Sequence, residues 1–452
     1  MRTLSFQRLV TIGGTAVLLA ACQTAPQPAS ERPGGMDAQG AAARMANDVG
    51  YLASAALEGR GTGTAGNDSA AAYIARHFLA LGLEPATGRD EAGTCDGNGA
   101  AVCVESYLQR FTARPASDAH RGITDGRPTQ NVAAMIRGTD PELRDEIVVL
   151  GAHFDHLGRS PESSLDPEAG DAIRFGADDN ASGTAMVMEL AREFTQRPPR
   201  RSLVFVLFSG EELGLLGSLH YVDNSPVPHD RIQAMVNFDM VGRLRDDRLI
   251  VYGIGTAEEM SAVVDSANVG TPPLALAKVP DGFGPSDHSS FHAKGIPVLH
   301  LFTDLHEQYH RSTDTPETIE VDGMRRVAEY AAQVTRLLAD RQGRLTPIRS
   351  APPTTAAGSG AGRSVYFGSV PDMAAGDGVV GLRLTGITPG SPADEAGLKA
   401  NDVVVMFGGH EVTDIYDYTD ALGNFSPGDV VQVVVVRDGE RLTLTATLRA
   451  RG

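Results

Sequence analysis

Two runs of the chain, Glu146-Ile-Val-Val-Leu150 and Ser202-Leu-Val-Phe-Val-Leu-Phe208, are almost unbroken apolar, β-branched sequence. Such runs predict strands buried on both faces. Pro297-Val-Leu-His-Leu-Phe302 predicts another, and Ala234-Met-Val-Asn-Phe238 is a fourth run of this kind. Between the first two runs, Thr184 to Phe194 reads as a helix. Upstream, Met45, Val49, Leu52 and Leu57 fall near one face of a helical pattern that starts at about Ala41. Ala70 to Leu81 predicts a second helix, with Gly82 suited to end it, and Gly323 to Leu338 predicts a closing one. Buried strands alternating with helices predict an α/β sheet with helices on both faces.

Past residue 350 the pattern changes. Ala351-Pro-Pro-Thr-Thr-Ala-Ala-Gly-Ser-Gly-Ala-Gly is a linker by composition. After it, Val379–Leu384, Asp402–Phe407, Val430–Arg437 and Leu442–Arg449 read as short strands, and Asp417–Leu422 as a short helix. A length of 452 residues already exceeds what one compact core holds, so a second domain is expected. The expected segments are 1–22, a signal peptide; 23–40, a Pro/Ala/Gly/Ser tether; 41–345, the main domain; 346–362, a linker; and 363–452, a small β-rich domain.

Charge and composition narrow the partners. The formal charge of -18 argues against nucleic acid and against electrostatic docking on anionic lipid. At the amino end, Arg2 and Arg8 precede an apolar stretch, Leu9 to Ala21, shorter than the ~20 residues that span a bilayer. It ends Leu19-Ala20-Ala21-Cys22, which resembles a bacterial lipoprotein signal with Cys22 as the lipidated residue; an ordinary secretory signal is the alternative. Gln23 in place of Asp points to an outer-membrane anchor on the periplasmic face, or otherwise to a periplasmic or secreted protein. The membrane is then met only through that lipid. Export implies an oxidising compartment, where the two remaining thiols, Cys95 and Cys103, are expected to join. A zinc knuckle is the rival, but two cysteines with no histidine between them supply too few ligands.

Five short stretches carry the chemistry. They are Gly151-Ala-His153-Phe-Asp155-His156, Gly176-Ala-Asp178-Asp179-Asn180-Ala-Ser-Gly183, Phe208-Ser-Gly-Glu211-Glu212-Leu-Gly214, Asn237-Phe-Asp239-Met240 and Tyr309-His310-Arg-Ser-Thr-Asp314-Thr315. Most follow a predicted strand, so their side chains can converge in a crevice at the strands' carboxyl ends. Taken singly, Asp179 and Asn180 could cap a helix, and Glu211-Glu212 could be a first-turn pair favoured by the helix dipole. Taken together they offer imidazoles and carboxylates for two divalent cations, plus a spare carboxylate for proton transfer.

In this order and composition the stretches resemble the co-catalytic di-zinc aminopeptidases, the family of bacterial leucyl aminopeptidase and aminopeptidase Y, over roughly Ala41 to Arg341. The resemblance implies a mixed, mostly parallel sheet flanked by helices. It implies that His153 and Asp239 bind one zinc, that Glu212 and His310 bind the other, and that Asp178 bridges them. Glu211 would be the general base, and Asp155 would orient His153. A cis peptide is implied between Asp178 and Asp179. Cobalt or manganese could replace zinc on such ligands. Ser286-Asp287-His288-Ser289-Ser290-Phe291 matches another stretch lining the family's site. The expected activity is an exported metallo-exopeptidase, an aminopeptidase acting on peptides through a di-zinc-bound hydroxide. The alternatives are a carboxypeptidase or glutaminyl cyclase-like reaction on the same site, or an inactive peptide-binding protein. Met240, Phe283 and Tyr309 are the candidate substrate contacts.

His306-Glu307-Gln308-Tyr309-His310 also fits the H-E-x-x-H zinc-protease pattern. That pattern works on a helix, where residues four apart share a face. Here a predicted strand ends only three residues earlier, and Pro316 follows, so the match is taken as coincidence. His156, His300 and His306 are expected to support the site rather than to bind metal. Finally, Val365-Tyr-Phe-Gly368, Thr388-Pro-Gly-Ser-Pro-Ala393 and Ala396-Gly-Leu398 resemble a bacterial PDZ domain. Tyr366, Phe367 and Gly368 would then cradle the C-terminus of a partner protein.

Overall fold

The computed structural model describes residues 1, 37–88, 100–115, 125–160, 164–348, 365–371, 381–387, 390–413, 417–418, 421–422 and 424–450. The expected signal peptide with Cys22, nearly all of the tether, Cys95 and most of the linker lie outside these residues. Cys103 is disulfide-bonded.

Helices α1 (Ala38–Leu52), α2 (Ala65–Ala80) and α3 (Ala100–Ser106) lead into the sheet. Its strands are β1 (Glu84–Pro85), β2 (Leu108–Ala113), β3 (Arg127–Ile136), β4 (Ile147–His153), β5 (Ser202–Phe208), β6 (Ile232–Phe238), β7 (Arg248–Tyr252), β8 (Ala275–Val279) and β9 (Val298–Phe302). The order is β1-β3-β5-β4-β6-β9-β7-β8, with β2 also on β3. The central β5-β4-β6-β9 links are parallel, and β3 and β7 close them antiparallel. All residues of β4, β5, β6 and β9 are buried, which is why they read as continuous apolar sequence.

The remaining helices of this domain are α4 (Gly183–Gln196), α5 (Leu216–Asp223), α6 (Met260–Ala267), α7 (His288–His292) and α8 (Val321–Asp340). One face of the sheet carries α1, α2, α4, α6 and α8 over the larger apolar core. Helix α8 turns Met324, Val327, Ala328, Ala331, Val334 and Leu338 inward at helical spacing. The other face packs Phe208, Tyr221 and Phe291 against each other, with ring centroids 6.1 Å apart.

Residues 365–450 have a separate apolar core, built on Leu384, Val404, Phe407, Val433 and Val435. Its strands are β10 (Val365–Tyr366), β11 (Ser369–Pro371), β12 (Leu382–Ile387), β13 (Val403–Phe407), β14 (His410–Glu411), β15 (Val430–Arg437), β16 (Glu440–Thr447) and β17 (Arg449–Ala450), with the short helix α9 (Pro392–Glu395). β11-β12-β13-β15-β16 form an antiparallel sheet in which β11 is an edge. Two expectations need correction. The strand expected at Val379–Leu384 runs Leu382–Ile387. The one expected at Leu442–Arg449 divides in two, since β16 pairs with β15 while β17 turns to β10.

Candidate metal centre

The parallel strands bring their carboxyl ends to one crevice. His153 is the last residue of β4 and pairs with Phe208 at the end of β5. Glu211 and Glu212 follow β5, and Asp239 follows β6. His310 comes from the loop after β9. The sixth component is the turn before α4, where Asn180 Oδ1 accepts from Gly183 N–H (2.8 Å) and the Asn180 amide donates to Phe238 C=O (2.9 Å).

That turn corrects the expected bridging residue by one position. Asp179, not Asp178, lies between the two imidazoles. Its Oδ1 is 3.3 Å from His153 Nε2, and its Oδ2 is 3.1 Å from His310 Nε2. Asp239 Oδ1 is 3.4 Å from His153 Nε2, and Glu212 Oε2 is 3.2 Å from His310 Nε2. Asp178 turns the other way: its Oδ1 accepts from Gly242 N–H (2.7 Å), and its Oδ2 lies 3.2 Å from His306 Nε2. The cis peptide likewise lies between Asp179 and Asn180, one bond later than expected. Adjacent side chains on a tight turn leave in different directions, so spacing in the sequence does not say which of two aspartates faces the crevice.

Two donor groups therefore share Asp179: His153, Asp179 and Asp239, and His310, Asp179 and Glu212. A tetrahedral zinc with arms of ~2.0–2.1 Å sets its ligand atoms roughly 3.3–3.4 Å apart. The imidazole–carboxylate separations of 3.1–3.4 Å fit that requirement. His156 lies within ligand range of Asp179 and Glu212 as well. Its Nδ1–H, however, donates to one oxygen of Glu212, Oε1, at 2.7 Å, so His156 holds Glu212 while His310 faces Asp179 and the other Glu212 oxygen.

The electrostatics also ask for cations. Burial works against charge on His153 and His310, yet the surrounding carboxylates raise both, His310 to about 10. Burial would lift the carboxyls of Asp179 and Glu212, but the facing histidines hold both below their ordinary range. His153 Nδ1–H donates to Asp155 C=O (3.1 Å), which turns Nε2 toward the crevice. Glu211 belongs to neither group. Its Oε2 is 4.0 Å from His153 Nε2, and burial pushes its carboxyl well above the ordinary range. Asp155 reaches this residue through the backbone, accepting from Glu211 N–H (3.2 Å) with Oδ1 and from the Thr62 hydroxyl (2.7 Å) with Oδ2.

Several supporting residues carried no individual signal in the sequence. Arg60 is fully buried and donates to the carbonyls of Phe154, Phe175 and Gly176 at 2.7–2.9 Å, tying the His153 loop to the Asp179 turn. The Asp314 carboxylate accepts from the N–H groups of Asp178 and Asp179 (3.0 and 3.1 Å). The Ser286 hydroxyl donates to Asp239 Oδ2 (2.7 Å).

The loop holding His306 and His310 is a turn, not a helix, and His310 has φ +54°. The two rings consequently face Asp178 and Asp179 separately, and the H-E-x-x-H match has no common face. Met240 and Tyr309 line the adjoining cavity, with the Tyr309 ring stacked on His310 at 3.9 Å. Phe283 instead packs edge-on against His292 (4.5 Å) and is not among the cavity's lining residues.

Residues 131–335 match Peptidase family M28, and residues 366–448 match the PDZ domain. Leucine aminopeptidase 2 of Trichophyton equinum is 30% identical over 236 residues, which are 50% of this chain and 42% of that protein. The chain thus spans less than half the length of this curated relative. Among solved structures, a zinc aminopeptidase from Bacillus subtilis aligns with a TM-score of 0.50 at 20% identity, over 67% of this chain and 95% of that one. Glutaminyl cyclase from Bacteroides thetaiotaomicron, bound to N-acetylhistamine, aligns with a TM-score of 0.50 at 17% identity, over 67% and 98%. Likeness at such identities is likeness of fold. Residues 131–335 are thus a Peptidase family M28 domain, and residues 366–448 a PDZ domain.

Proposed function

We propose that the protein is an exported zinc aminopeptidase that removes N-terminal residues from peptides, with two zinc ions held by His153, Asp179 and Asp239 and by His310, Asp179 and Glu212. The observation that carries this reading is the pair of imidazole–carboxylate groups sharing Asp179 at ligand spacing. When bound, such ions would polarise a peptide carbonyl and lower the pKa of water toward neutrality. Glu211 takes the proton of the attacking water on its carboxylate and returns it to the nitrogen of the departing amine. A carboxyl raised by burial suits that exchange, because proton affinity must lie between those of donor and acceptor. Asp155 and Thr62 position Glu211 through its backbone N–H. His153 keeps Nε2 turned to the crevice through its bond to Asp155 C=O.

The fold is shared with a glutaminyl cyclase, so fold alone leaves cyclisation open; the second imidazole–carboxylate group favours hydrolysis. Export is supported by the disulfide at Cys103, for which Cys95 is the proposed partner, and lipid anchoring through Cys22 rests on the sequence. Among the described residues no helix is long and apolar enough to cross a membrane. The test is hydrolysis of unblocked and N-acylated versions of one peptide, with and without a chelator. The unblocked peptide should be cleaved, and the chelator should stop it. Equal cleavage of the N-acylated form would exclude an aminopeptidase.

A further inference from the structure

The cavity beside the candidate metal centre is bounded by both domains. The described residues from 37 onward belong to one compact unit, and a cavity of about 1160 Å³ runs within it. It is lined by His153, Asp179, Glu211 and Asp239, and equally by Tyr366, Phe367, Gly368 and Ser369 of the PDZ domain. Small-ligand sites usually occupy roughly 300–1,000 Å³, so this space suits a ligand as large as a peptide of a few residues.

The two domains line the cavity with different chemistry. The lining from the peptidase domain is rich in carboxylates and also holds Arg245 and Arg311. The lining residues from the PDZ domain, which also include Ile387, Tyr418 and Leu422, carry no charged side chain. Phe367 and Gly368 join β10 to β11, outside both ladders. The Phe367 carbonyl accepts from Ala393 N–H in α9 (2.9 Å). In a trans peptide the next N–H points the opposite way, so Gly368 N–H is directed away from α9. Gly368 has φ +87°, and a Cβ there would lie 2.2 Å from Ser391 Cβ, so the bend depends on glycine. The strand β11 begins at the next residue, and among the described residues it pairs on one side only, with β12. A bent backbone N–H beside such a strand edge is a donor site for a terminal carboxylate.

We propose that one short peptide bridges this cavity, with its free amino end at the metal centre beside Glu211 and its carboxylate on the Phe367–Gly368 loop. The preferred substrates are then short peptides with an unmodified C-terminus, and the PDZ domain forms one wall of the substrate site. This rests on the aminopeptidase reading above.

The test compares unblocked peptides, from dipeptide to octapeptide, with free and amidated C-termini on the full chain. Amidation should raise KM about tenfold or more at the lengths that span the cavity, the loss expected for a charge-assisted hydrogen bond. It should leave kcat nearly unchanged and should not affect the dipeptide. Ser369 is half-buried, lines the cavity and adjoins the loop. Ser369→Asp should abolish the acid-over-amide preference by repulsion, whereas Ser369→Asn, of the same size and uncharged, should retain it. The wild-type comparison stands whether or not either variant folds. Equal KM for acid and amide at every length would overturn the proposal while leaving aminopeptidase activity intact. A preference surviving in a folded Ser369→Asp variant would place the carboxylate on the other wall, where Arg311 lies, and would overturn it too. Cleavage of neither form would remove the aminopeptidase reading and this inference with it.

Discussion

Asp178 and Asp179 are chemically identical neighbours, and the structure gives them opposite work. Replacing each in turn with Asn is therefore a sharp test of the metal centre. Asp179 places one oxygen 3.3 Å from His153 Nε2 and the other 3.1 Å from His310 Nε2. Asp179→Asn removes the charged carboxylate from both donor groups and leaves each with one imidazole and one carboxylate. Asp178 meets Gly242 N–H and His306 instead, so it acts on the centre only by supporting the turn. Loss of such an outer partner costs about 10–100-fold in metal affinity. Loss of a shared ligand should exceed that upper figure at both positions. The assay is elemental analysis after dialysis against metal-free buffer, followed by titration with a competing chelator. Wild type should hold two equivalents of zinc, Asp178→Asn nearly as much with affinity weakened up to about 100-fold, and Asp179→Asn little of either. If Asp179→Asn keeps two zinc ions while Asp178→Asn loses both, the bridging assignment argued from these distances is wrong. A wild-type protein with one zinc would remove the two-metal mechanism altogether.

Glu211→Gln should keep the metal and lower turnover by about a hundredfold to ten-thousandfold, the range of general acid–base help, while Glu307→Gln should leave turnover nearly unchanged; steady-state kinetics with metal content measured in parallel decides. Asp48 is buried beside Tyr73, whose hydroxyl donates to it at 2.6 Å, and burial pushes its carboxyl up to about 6. A raised carboxyl costs stability as pH climbs from 3.8 through 6, and at roughly 1.4 kcal/mol per pH unit the cost approaches about 3 kcal/mol. Asp48→Asn, which keeps the acceptor for Tyr73, should therefore match wild type near pH 4 and exceed its stability at pH 8; urea titrations showing the same difference at both would refute this. Mass spectrometry of the exported, non-reduced protein should find Cys95 joined to Cys103 and lipid on Cys22 at a new amino terminus. A chain ending at Arg349 should remain folded, because residues 365–450 have their own core, and unfolding of that chain would show the proposed 346–362 boundary to be misplaced.

The amino-acid sequence by itself determined the elements that carry the site. β4, β5 and β9 are legible because strands covered on both faces must be apolar at every position, and α8 because its apolar residues recur at helical spacing. His153, Glu211, Glu212, Asp239 and His310 were legible as a set because each follows such an element. β3 is not legible in the sequence, since Arg127-Pro-Thr-Gln-Asn-Val opens with polar residues, of which Thr129, Gln130 and Asn131 are buried where β3 pairs with β2. Only the tertiary structure decided between Asp178 and Asp179, because backbone torsions in one turn aim neighbouring side chains apart. Only packing made Arg60 a strut, since its partners are carbonyls, which every residue possesses. The joint cavity is tertiary in the same sense: nothing in the spacing from Asp239 to Gly368 says that the two line one space. Local sequence encodes what an element buries, whereas the direction of a side chain in a turn and the meeting of distant surfaces depend on how the whole chain packs.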